Sequence, residues 1–170
     1  MKKSGAPESA TLVGETNGKS HRERLLIVDD SESCRAMICE HLRQDQFEYD
    51  QAENGAVAVE KAKATHFDLI LMDIQMPMMD GYEAIRRIRL WEEGRGLSRT
   101  PIIAFTASSF EEDVQRAVES GADLHVSKPV KKQALAAAIR SLLPDEANEG
   151  ATGKHALPAV GGCFLPNEAK

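Results

Sequence analysis

The sequence predicts a doubly wound α/β fold built on one five-stranded parallel sheet, and three observations carry that prediction. First, Leu25-Leu26-Ile27-Val28-Asp29-Asp30, Leu69-Ile70-Leu71-Met72-Asp73 and Ile102-Ile103-Ala104-Phe105-Thr106 are unbroken apolar runs. Strands buried on both faces read this way, whereas half-exposed strands alternate. Second, helical spacing recurs between the runs, which is the pattern of βα units with right-handed crossovers. Third, each run stops at a carboxylate or a hydroxyl. The ligand crevice of an open parallel sheet lies at the carboxyl ends of its strands. That edge therefore gathers Asp29, Asp30, Asp73, Thr106 and Lys128.

The elements follow in order. After the first strand at 25–29, Cys34, Ile38 and Leu42 recur at i, i+4 and i+8, with Met37 beside them. Residues 47–52 form a more polar strand, suited to the sheet edge. Asn54 is placed to cap a helix carrying Val57, Ala58 and Ala62. The third strand spans 67–72. A helix over 82–91 holds Ile85 and Ile88, with a basic face of Arg86, Arg87 and Arg89. The fourth strand spans 101–106. The next helix, 111–120, turns Val114, Ala117 and Val118 inward, and a short fifth strand covers 124–127. The last helix, 130–143, sets Leu135, Ala138, Ile139 and Leu142 on one face. The flavodoxin-like strand order 2-1-3-4-5 puts strands 1 and 3 side by side at the switch point.

The chain has 170 residues, enough for one domain with a proper core. Residues 1–22 are expected to be a flexible N-terminal arm, 23–144 the folded domain, and 145–170 a disordered C-terminal tail. A net charge of -6 argues against a nucleic-acid surface. No long apolar run follows Met1-Lys2-Lys3, so neither a signal peptide nor a membrane span is expected, and the location expected is cytoplasmic. Cys34, Cys39 and Cys163 have no metal-ligand spacing, and a reduced setting fits them.

Strands lie about 4.8 Å apart, so Asp29 and Asp30 at one strand end and Asp73 at its neighbour are within reach of one cation. Hard divalent ions favour oxygen ligands, and Mg²⁺ keeps water and phosphate oxygens beside one or two carboxylates. A nucleotide-binding fold would need glycines and free N–H groups after the first strand. The turn here reads Asp29-Asp30-Ser31-Glu32-Ser33, which repels phosphate unless a metal intervenes.

From about Arg24 to Leu143 the chain resembles a response-regulator receiver domain of two-component signalling (CheY-like), in the style of receivers of hybrid sensor kinases. The resemblance rests on Asp29-Asp30, on Met72-Asp73-Ile74-Gln75-Met76-Pro77-Met78-Met79-Asp80-Gly81, on Phe105-Thr106-Ala107 and on Ser127-Lys128-Pro129. It implies that Asp73 is the phosphoacceptor, becoming an aspartyl phosphate. It implies that Asp30 and Asp73 ligate Mg²⁺ directly with the backbone carbonyl of Gln75, while Asp29 holds a metal-bound water. Lys128 would pair with phosphoryl oxygens, Thr106 would swing inward to hydrogen-bond them, and the Lys128-Pro129 bond would be cis. His125 stands at the family's switch aromatic and would report the Thr106 state. Pro77 and Gly81 are sufficiently explained as a tight turn.

The function expected is that of a single-domain response regulator, which catalyses only its own phosphorylation and dephosphorylation. Its expected partners are a sensor histidine kinase or histidine phosphotransfer domain and an unknown output partner, with no nucleic acid and no membrane. It would be a monomer or a phosphorylation-dependent dimer. The alternative is the receiver module of a hybrid histidine kinase, which the long connection over 91–97 resembles. A more remote one, a metal-dependent phosphohydrolase, would want an Asp-x-Asp pair where this chain has Asp73 and Gln75.

Overall fold

The computed structural model describes residues 22–45, 47–107 and 111–143. The arms expected before 23 and after 144 lie outside these residues, Arg22 excepted. Ten elements alternate: β1 (Arg24–Val28), α1 (Glu32–Leu42), β2 (Glu48–Ala52), α2 (Gly55–Ala64), β3 (Leu69–Asp73), α3 (Gly81–Arg95), β4 (Ile102–Thr106), α4 (Glu111–Ser120), β5 (Leu124–Ser127) and α5 (Lys132–Leu142). All strand pairs are parallel and the order is β2-β1-β3-β4-β5, as expected.

The unbroken apolar runs are explained by burial on both sheet faces. Leu26, Val28, Ile70, Met72, Ile102 and Ala104 pack with residues of α2 and α3. Leu25, Ile27, Leu69, Leu71, Ile103 and Phe105 pack with Ile38 and Leu42 of α1 and Leu135 and Ile139 of α5. Each of these side chains but Ala104 contributes about 1.5–3 kcal/mol of transfer free energy. With both faces secured, the strand ends are fixed relative to one another, and these ends carry the site. The polar second strand lies at the edge of the sheet.

Several expectations require correction. The helix begun at 82 runs through Arg95, so residues 91–95 are helical rather than part of a long connection. Glu92 explains this: it is buried, bonds Arg89 at 2.7 Å and accepts the Thr100 amide at 2.8 Å. Termination falls to Gly96, whose φ of 63° is the left-handed conformation glycine adopts cheaply. Arg89 does not join a solvated basic face. It turns inward to Glu92, Asp123 and the carbonyls of Thr100 and Gly121. On α4, Ala117 is buried and Val114 half-buried, but Val118 is 56% exposed, because the inward stripe passes through Ser120 instead. Met37 likewise sits on the outer side of α1.

Candidate functional site

Asp29 follows β1 directly. Its amide donates to the Ala52 carbonyl at 3.2 Å, extending the sheet by one bond past the last strand residue. Its carboxylate, 1% exposed, accepts the Ser31 amide at 2.9 Å through Oδ1. Ser31 in turn caps α1, accepting the Cys34 amide. The cap thus fixes the turn that follows the acid pair. Asp30 is exposed.

Asp73 ends β3 and is 2% exposed. Its Oδ1 accepts the Gln75 amide at 3.1 Å. Its Oδ2 lies 2.8 Å from Lys128 Nζ, and Asp29 Oδ2 lies 2.9 Å from the same nitrogen. Lys128 follows β5, its amide donating to the Thr106 carbonyl at 2.7 Å, and its bond to Pro129 is cis. Carboxylate oxygens of Asp29, Asp30 and Asp73 lie within 4.8 Å of one another.

Burial pushes the Asp73 carboxyl above the ordinary aspartate range, against the lowering effect of Lys128 and the Gln75 amide. Burial alone would lower the Lys128 ammonium, but hydrogen bonds and charge from Asp73 and Asp29 outweigh it and raise its pKa. One cation faces three acids. That imbalance, together with an all-oxygen donor set open to water on the Asp30 side, fits a hard divalent ion of the Mg²⁺ type.

Thr106 ends β4, one residue past Phe105, the register partner of Asp73. It is 2% exposed, and its hydroxyl has no hydrogen-bond partner among the described residues. A buried unsatisfied hydroxyl costs about 1–3 kcal/mol. His125 pairs in register with Ala104 and Ser127 with Thr106, so His125 and Thr106 lie on one sheet face. The imidazole, however, is exposed rather than packed behind Thr106.

The strand-end residues Asp29, Asp30, Asp73 and Lys128 are therefore brought into one cleft, with Thr106 at the adjoining strand end. Gln75 contributes its amide to Asp73. A tight turn alone does not account for Gly81. A Cβ there would overlap the Asp73 carbonyl oxygen and stand 2.7 Å from the Ile74 Cα. The glycine is required because the start of α3 presses on the backbone of Asp73, and no local turn pattern carries that information. The Gly81 amide also donates to the Ile74 carbonyl at 2.9 Å.

A family model described as "Response regulator receiver domain" matches residues 25–140. Probable histidine kinase 2 of Oryza sativa subsp. indica is 46% identical over 93 residues, covering 55% of this chain and 9% of that protein. The chain therefore spans only a small part of the kinase relatives it matches. Chemotaxis protein CheY of Halobacterium salinarum is 39% identical over 121 residues, covering 71% of this chain and 97% of that protein. Among solved structures, the receiver domain of the sensor histidine kinase PA1611 from Pseudomonas aeruginosa PAO1 aligns with a TM-score of 0.65. It shares 32% identity and covers 72% of this chain and 98% of its own, and it holds a magnesium ion in its active site cleft.

Proposed function

Because the chain belongs to the response regulator receiver domain family of two-component signalling, we propose that Asp73 is its phosphoacceptor, in a single-domain response regulator. The observation that carries the proposal is the sharing of one ammonium, Lys128, by the buried carboxylates of Asp73 and Asp29. Phosphoryl transfer asks a protein mainly for positioning and charge neutralisation. Here the protein also supplies the nucleophile.

In this reading a carboxylate oxygen of Asp73 attacks the phosphorus of a partner's phosphohistidine. An O–P bond forms, the P–N bond breaks, and the imidazole leaves. Asp30, Asp73 and the Gln75 carbonyl would hold Mg²⁺, with Asp29 on a bound water. Bound there, Mg²⁺ offsets the charge on the acids and on the phosphoryl oxygens. Lys128 exchanges its Asp73 contact for a phosphoryl oxygen. Thr106 donates its unpartnered hydroxyl to another, which relieves its buried, unsatisfied state. That inward movement vacates space on the face His125 shares, and His125 is the group proposed to fill it. Contacts with the output partner would then differ between two packings a few kcal/mol apart.

The folded unit is proposed to span 23–144, flanked by arms. Partners would be a sensor histidine kinase or a histidine phosphotransfer domain, with output through the surface of α4 and α5 or by passing the phosphoryl group onward in a relay. A second reading, the receiver module of a hybrid kinase, is favoured by the identity to the rice kinase. The connection over 91–97 no longer supports it, since most of that stretch is helix. No helix among the described residues is long and apolar enough to cross a membrane.

Incubation with Mg²⁺ and acetyl phosphate tests the proposal. Intact-mass analysis should show one added phosphoryl group, dependent on Mg²⁺, and none on Asp73→Asn. Equal labelling of both proteins would sink it.

A further inference from the structure

We propose that Arg35, on the first turns of α1, is a positioning residue that holds the acidic β1–α1 turn in its metal-binding geometry. The inference rests on the reading of Asp29, Asp30 and Asp73 as the Mg²⁺ site.

The backbone at the end of β1 has an accounting problem. Register pairing of β1 with β3 stops at Val28 and Met72, and helical bonding starts with the Ser31 carbonyl, which accepts the Arg35 amide at 3.1 Å. The carbonyls of Asp29 and Asp30 fall between these two systems. Among the described residues only one group donates to them. Arg35 Nη1 lies 2.8 Å from the Asp29 carbonyl and 3.4 Å from that of Asp30. The guanidinium is itself oriented, because its Nε donates to Gln51 Oε1 at 3.0 Å. Gln51 sits on β2 beside Ile27 in register. Arg35 therefore ties three elements together: the edge strand, the first helix, and the turn that carries the acid pair.

The consequence is specific to the site. Asp29 is already fixed through its side chain by Ser31 and Lys128. Asp30 is exposed, and its carboxylate makes no hydrogen bond or ion pair among the described residues. With no side-chain partner, that carboxylate is placed by the backbone of the turn and by its own rotamer, and like charge favours the rotamers turned away from Asp29 and Asp73. A planar guanidinium bonding both carbonyls holds the two peptide units at a fixed angle, which a flexible chain of water contacts would not. Groups that orient metal ligands without touching the metal are worth about 10–100-fold in affinity.

The test is calorimetric titration of Mg²⁺ into the full chain, without any phosphodonor. Arg35→Ala should weaken Mg²⁺ binding about tenfold. Arg35→Lys should recover part of the loss, because an ammonium reaches one carbonyl but not Gln51 as well. Thermal denaturation of each metal-free variant accompanies the titration, and the lysine variant carries the test if the alanine variant unfolds. The amide resonance of Ser31, which reports the Asp29 side of the turn, should shift in Arg35→Ala and return toward wild type in Arg35→Lys. Asp30→Ala separates the two levels of the reading. If Asp30→Ala binds Mg²⁺ like wild type, the site assignment fails. If Asp30→Ala loses binding while Arg35→Ala, or Arg35→Lys where the alanine variant does not fold, binds like wild type, the site stands and the role of Arg35 is overturned. Equal losses in the alanine and lysine variants would also overturn it.

Discussion

Lys128 reaches from the end of β5, across β4, to set its ammonium 2.8 Å from the Asp73 carboxylate at the end of β3. The same nitrogen lies 2.9 Å from Asp29. Both acids are almost wholly buried, so the lysine is the counter-charge for two anions with little access to water. Removing one partner of a buried ion pair costs far more than the pair itself contributes, because the remaining charge is stranded.

Lys128→Ala should therefore destabilise the metal-free protein by about 3 kcal/mol at neutral pH. The loss should shrink as pH falls and the carboxylates take up protons. Urea denaturation of both proteins at neutral and acidic pH measures this, and a pH-independent difference would point to lost packing rather than charge.

Asp73→Asn should act in the opposite direction. Burial holds the Asp73 carboxyl above its ordinary value of 3.8, so the folded state keeps the proton more tightly than the unfolded chain. Wild-type stability from this group thus falls as pH rises from the ordinary value through the raised one. The neutral asparagine lacks this loss, so the advantage of the variant should grow across that window and then level off. For Lys128 the sign is the same, and the window lies at the alkaline end. Its raised pKa gives stability that is present below 10.5 and lost as pH rises through the folded value. Denaturation midpoints across the pH range test both.

Thr106→Val keeps the shape of the side chain and removes its unpartnered hydroxyl. It should raise stability by about 1 kcal/mol. Beryllofluoride should shift amide resonances around 111–122 and 124–132 in wild type and leave 47–63 nearly still. Thr106→Val should bind the phosphoryl mimic yet lose most of that response. A wild-type response from the variant would show that the switch does not run through Thr106.

Two glycines should behave in opposite ways. Gly81→Ala forces a methyl group onto the backbone of Asp73 and Ile74 and should cost about 3 kcal/mol. It should also slow phosphorylation by displacing Asp73. Gly94→Ala meets nothing within 4 Å inside α3 and should stabilise by roughly 0.5–1 kcal/mol. Thermal denaturation of the two variants decides the pair.

The sheet, its strand order and the gathering of the acids were legible in the sequence because they depend on long-range alternation and on where apolar runs stop. What was not legible depends on contacts between distant segments. Glu92 looked like part of a solvated connection, yet its bond to the Thr100 amide keeps the end of α3 helical. Arg89 looked like a surface cation until its partners Asp123 and Gly121, far along the chain, turned it inward. Val118 carried the right spacing for the core, but α4 presents Ala117 and Ser120 there instead. Gly81 stood in a motif that did not disclose its contact with the Asp73 backbone, and Arg35 gave no motif of its own, since both roles lie in what they touch across elements.

The central claim, that Asp73 carries the phosphoryl group, is tested most directly by borohydride trapping. Borohydride reduces an acyl phosphate to an alcohol and converts the modified aspartate to homoserine. After treatment with acetyl phosphate and Mg²⁺, peptide mass spectrometry should find homoserine at Asp73 alone. Homoserine at Asp29 or Asp30, or a labelled protein with Asp73 left intact, would contradict the account.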